Sequence, residues 1–132
     1  MSNLDISEWI RFAQTDYDTA KKMYDLFKPI PREIACFLCQ QSIEKILKAY
    51  ILARGGTLIK MHDLYALLKQ CAEHKEEFEK YRDTCAELTT YAVFIRYPSF
   101  DTLTELDLRQ ALSNAQKVLS FTKTQLGELG YT

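Results

Sequence analysis

Apolar side chains recur along most of this chain at steps of three and four residues, the spacing that lines one face of an α-helix. The first series is Ile6, Trp9, Ile10, Ala13, Tyr17, Ala20, Met23, Tyr24 and Phe27, with Asp16, Asp18, Lys21, Lys22 and Asp25 mostly in the other positions. Asp5 and Glu8 have capping-box spacing at its start. Lys28-Pro29-Ile30-Pro31 stops it, because a proline disfavours helical geometry in the residue before it. Pro31 suits the first turn of a second helix, where its missing N–H costs little.

That second helix organises the chain. Ala35, Leu38, Cys39, Ser42, Ile46, Ala49 and Ala53 follow one side of it, and Cys36, Ile43, Leu47, Tyr50 and Ile51 fill the neighbouring side. A helix apolar over so wide an arc is buried by several neighbours. What remains is a narrow polar stripe of Gln41, Glu44, Lys45 and Lys48, with Gln40 at its edge. Arg54-Gly55-Gly56 is a glycine C-terminal signal.

A third, shorter helix is expected from near His62, with Leu64, Leu67, Leu68 and Cys71 on its apolar face. After a charged run from His74 to Lys80, Phe78, Tyr81, Cys85, Leu88, Ala92 and Ile95 mark a fourth helix closing at Arg96-Tyr97-Pro98. The last helix opens with Thr104 as N-cap and Asp107 three residues on, with Leu103 and Leu108 spaced as a hydrophobic staple. Ala111, Leu112, Ala115, Val118, Leu119 and Leu126 carry it to Gly127. No segment alternates with period two. The expected fold is therefore all-α, an up-down four-helix bundle with an additional short helix.

At 132 residues the chain makes one domain, residues 1–132, with a single core. The net charge of −1 gives no global attraction to nucleic acid or anionic membrane. Lys45, Lys48 and Arg54 interrupt the best apolar run, so no membrane span is expected. Met1-Ser2-Asn3-Leu4-Asp5 has neither a basic start nor an apolar signal core. A cytoplasmic location is the expectation, with the four cysteines as thiols.

Cys36 and Cys39 form a C-x-x-C, and Cys71 with His74 a C-x-x-H, spacings that put each pair on one helical face and make a Cys3His zinc site conceivable. These cysteines sit among Phe37, Leu38, Leu67 and Leu68, where a free thiol acts as a small apolar group. No metal and no cofactor is therefore assigned. Glu73, Glu76, Glu77 and Glu79 read as a solvated face, and no glycine-rich loop follows a strand. Arg96 at a helix C-terminus has a structural reason in the helix dipole, yet a guanidinium also grips phosphate at two points.

Four segments together resemble the HEPN family, the higher-eukaryote and prokaryote nucleotide-binding domains. They are Ala13-Gln14-Thr15-Asp16, the run from Cys39 through Gln40-Gln41-Ser42-Ile43-Glu44-Lys45-Ile46-Leu47-Lys48-Ala49, then His62-Asp63-Leu64, and the stretch from Tyr91 to Arg96-Tyr97-Pro98. The resemblance spans about residues 9 to 125. It implies a helical bundle that commonly dimerises, often encoded beside a minimal nucleotidyltransferase in toxin–antitoxin or related systems. Many members are metal-independent ribonucleases with an Arg followed four to six residues later by His.

Here that Arg is Arg96, but no histidine follows it, and Asp101, Thr102 and Leu103 hold the corresponding positions. Proton transfer near neutral pH suits imidazole, not Thr or Leu. His62 is the remaining catalytic candidate besides Arg96. The resemblance thus points to a non-catalytic module that binds a nucleotide or RNA phosphate, acts as a homodimer and works with a nucleotidyltransferase-type protein. Lys45, Lys48 and Arg96 are the expected phosphate contacts, Gln41 and Glu44 the base or sugar contacts, and Tyr97 a stacking platform. The alternative for the stripe is an internal network with Glu44 and Lys48 as an i,i+4 pair. The alternatives for the molecule are a ribonuclease toxin with a degenerate site and an antitoxin-like interaction subunit.

Overall fold

The computed structural model describes residues 3–58, 63–91 and 103–132. Among them are five α-helices and one 3-10 helix, and no strand. The helices are α1 (Asn3–Leu26), α2 (Arg32–Ala53), α3 (Leu64–Ala72), α4 (Arg82–Thr89) and α5 (Glu105–Glu128). The 3-10 helix, Glu76–Tyr81, lies between α3 and α4. The all-helical bundle expected from the spacing is what forms.

The wide apolar arc of α2 has the consequence its width demands. It packs against α1, α3, α4 and α5 at once. Lys48 meets Trp9, Lys45 meets Phe12, and Ser42 meets Ala13, so α1 and α2 run antiparallel. Ala13, Ala20, Ala35 and Ala49 are fully buried. Small side chains on both helices let the two backbones approach closely enough for Ser42 Oγ to donate to the Ala13 carbonyl at 2.7 Å. That bond satisfies a hydroxyl whose burial would otherwise carry a desolvation cost.

The helix ends follow their local chemistry. Gly56 N–H donates to the Ile51 carbonyl and Gly55 N–H to Leu52, the paired bonds of a Schellman turn, with Gly55 at φ 77°. A Cβ on Gly56 would come within 2.8 Å of the Ile51 side chain, so the second glycine is required by space. Asp63 caps α3 by accepting from Tyr65 N–H. Thr104 and Asp107 exchange both bonds of a capping box at the start of α5, while Leu103 and Leu108 are both buried.

The fourth helix differs from its expected form. Phe78 and Tyr81 belong to the 3-10 turn, and α4 begins only at Arg82. Phe78 is the only apolar residue between Lys75 and Lys80, and within the 3-10 turn it faces inward. It is fully buried there, 4.7 Å from the Tyr50 ring and 4.9 Å from that of Phe121. The expected closure at Arg96-Tyr97-Pro98 lies outside the described residues, as does His62.

Candidate functional site

The polar stripe of α2 is largely covered, and Lys45 and Lys48 on it reach α1. Gln40 and Glu44 are buried, at 1% and 5% exposure. Lys48 Nζ lies 3.0 Å from Glu44 Oε2, the i,i+4 pair open to the sequence reading. Gln40 Nε2 donates to Glu44 Oε1, and Gln41 Nε2 donates to Gln40 Oε1 at 2.9 Å. A carboxylate sheltered this far from water needs such donors, and Lys48 supplies the charge. Four of the six expected ligand contacts, Gln41, Glu44, Lys45 and Lys48, therefore sit side by side on one seam. Arg96 and Tyr97, the other two, lie outside the described residues, as does the catalytic candidate His62.

Lys45 is the member of the stripe that reaches outward. Its ammonium is 2.6 Å from Asp16 Oδ2 on α1 and 5.9 Å from the centre of the Phe12 ring. Phe12 is 46% exposed, and Arg11 lies over its ring at 4.6 Å. Lys48 stands 5.8 Å over the Trp9 ring. Trp9, Phe12, Asp5, Glu8 and Lys45 together line an open cleft of about 660 Å³ on the outer side of the α1–α2 seam. A space of that order accommodates a small organic ligand.

The charges around the cleft are fixed by their neighbours. Arg11 Nη2 donates to Glu8 Oε2 at 2.6 Å, which holds the Glu8 carboxyl below its ordinary range and raises the guanidinium. Phe12 and Arg11 were not among the residues singled out by sequence. The available signal was an aromatic residue placed off the apolar face of α1, between Arg11 and Ala13.

The cysteines belong elsewhere. Cys36, Cys39, Cys71 and Cys85 are free thiols buried in the core. Cys71 Sγ donates to the Leu47 carbonyl. α3 ends at Ala72, so Cys71 and His74 do not share a helical face, and His74 is exposed. Burial pushes Cys36 and Cys85 up to about 12, and Cys39 and Cys71 further still. No helix among the described residues is long and apolar enough to cross a membrane.

The chain matches the family model for the HEPN domain over residues 6–125. No curated protein matches it. Among solved structures it is similar to TT1696 from Thermus thermophilus, at 26% identity and a TM-score of 0.77. That likeness covers 90% of this chain and 96% of the other. It also shares the fold of ST0689, an archaeal HEPN homologue, at 24% identity and a TM-score of 0.72, over 91% of this chain and 96% of the other.

Proposed function

The chain belongs to the HEPN family, and from that premise we propose that it is a non-catalytic module binding a nucleotide or RNA phosphate in the α1–α2 cleft. The observation that carries this reading is the combination of Trp9 and Phe12 with Lys45 around one open space. An aromatic face stacks on any base, and a cation beside it meets the phosphate. Lys45 is the direct phosphate contact. Lys48 and Glu44 hold the seam from beneath, and Gln41, half-buried on the same stripe, is the residue proposed to hydrogen-bond a base or sugar.

Arg96 and Tyr97 are proposed as a second phosphate contact and a second stacking residue. Arg96 is not followed by a histidine, which is the reason the module is read as binding rather than cleaving. Homodimerisation and a nucleotidyltransferase-type partner are part of the same proposal.

The test is calorimetric titration of the purified protein with ATP, GTP and short RNAs. Saturable binding that weakens in Lys45→Ala is expected. Silence across all of these ligands overturns the reading.

A further inference from the structure

Resting on the homodimerisation proposed above, we propose that two copies of the chain meet through the end of the bundle formed by the α1–α2 turn and the start of α5. Four of the six large apolar side chains exposed among the described residues, Leu26, Phe27, Ile34 and Leu106, belong to these segments. Leu26 ends α1, Ile34 lies in the first turn of α2, and Leu106 lies in the first turn of α5. Pro29, Ile30, Arg32 and Glu105 line one small cleft, which brings the turn and the start of α5 side by side. Leu26 is the most exposed of the group, at 72%. Single exposed apolar side chains are ordinary on a folded protein, but a group gathered at one place marks a surface that a partner covers.

The charges around this apolar centre decide which partner. Arg32 and Glu105 line the same cleft, yet Arg32 has no ion pair among the described residues. Glu105 has only Arg109 of its own helix, through one oxygen at 3.6 Å, with both side chains about half exposed. An exposed i,i+4 pair of that kind contributes little and yields to a better placed cation. In a two-fold contact the same patch meets itself, so Arg32 of each copy finds the Glu105 of the other. Lys28 and Arg32 are interspersed with Asp25, Glu33 and Glu105 around the face. A rim of both signs fits a second copy better than an anionic lipid surface or a partner of one sign.

This face is remote from the cleft proposed for the nucleotide. Phe12 and Leu26 are separated by roughly 20 Å along α1, at the helical rise of about 1.5 Å per residue. Pairing through the bundle end leaves both clefts open, so self-association and nucleotide binding can be lost separately.

Sedimentation velocity and light scattering on the full chain, across micromolar concentrations, test the interface. The unmodified chain is expected to dimerise. Leu26→Asp and Leu106→Asp are each expected to weaken association about tenfold or more, because a charge would have to be desolvated at the apolar centre. Arg32→Glu and Glu105→Arg each set like charges opposite one another and are expected to weaken it about tenfold or more. Mixing these two reversed variants restores opposite charges at both contacts of a mixed dimer, so association is expected to return. Misfolding of either variant cannot give that rescue. An unmodified chain that stays monomeric overturns this interface and homodimerisation together, and the calorimetric titrations then decide the cleft independently. A dimer that survives all four substitutions overturns this face and leaves homodimerisation standing. Association lost in both charge variants and not recovered on mixing overturns the pairing of Arg32 with Glu105.

Discussion

The ammonium of Lys45 on α2 and the carboxylate of Asp16 on α1 meet at 2.6 Å across 29 residues of sequence. Their side chains keep 26% and 16% of their exposure, so the pair is neither fully screened nor fully desolvated. It ties the two helices together and, at the same time, holds the cation proposed above as the phosphate contact.

Asp16→Asn separates these two roles. Loss of the ion pair is expected to lower stability by about 1 kcal/mol, the upper range for a partly exposed pair. It frees Lys45, so nucleotide affinity is expected to rise several-fold. Urea melts and fluorescence titrations on the same preparation check both. A variant that is destabilised and also binds more weakly would remove Lys45 as the phosphate contact.

Phe12 divides binding from stability in the other direction. With nearly half its surface exposed, its replacement by Ala is expected to leave the melting temperature almost unchanged. Loss of its stacking face is expected to weaken nucleotide binding about tenfold. An unchanged dissociation constant by calorimetry would place the ligand elsewhere on the molecule.

Glu44 and Lys48 are a different case, since their side chains are only 6% and 12% exposed. Glu44→Ala leaves the lysine charge covered and without its anion, with an expected loss of about 3 kcal/mol. Replacing both with methionine is expected to recover most of that loss, because a buried ion pair barely outweighs its own desolvation. A double-mutant cycle by chemical denaturation measures this, and additive effects would show that the two charges are not coupled.

The buried thiols give the fold a pH dependence on the alkaline side. The ordinary value for a thiol here is 9.0, and Cys36 and Cys85 are raised to about 12 by burial. Above pH 9 the unfolded chain gives up these protons while the folded chain keeps them, so the folded state binds more protons and stability falls as pH rises. The contribution is complete below pH 9 and is lost progressively toward 12. Thermal melts under reducing conditions between about pH 7 and 11 are expected to show the decline, shallower in Cys85→Ala by about 1.4 kcal/mol per pH unit. A melting temperature that stays flat across that range would contradict it.

Much of the fold was legible because its determinants are local. Pro29 and Pro31 divide α1 from α2, Gly55 and Gly56 close α2, and Thr104 with Asp107 opens α5, each through groups within a few residues of one another. The pair Glu44–Lys48 was legible for the same reason, being one helical turn apart. The 3-10 turn was not. Phe78 obeys a helical spacing with Tyr81 and Cys85, and the rings it packs against, Tyr50 and Phe121, lie far from it in sequence.

By itself, then, the sequence determined that the chain is helical, where most helices begin and end, that α2 is the central one, and which family the molecule belongs to. Periodicity and capping suffice for that, since they act along one helix at a time. Only the tertiary structure decided what the polar stripe does. Gln40 and Glu44 are buried, and packing α1 against α2 left Lys45 at the edge and set it beside Phe12 and Asp16. Lys45 and Asp16 are 29 positions apart in sequence, and no local rule carries across that distance. The cleft exists because two helices meet, and its chemistry belongs to neither alone.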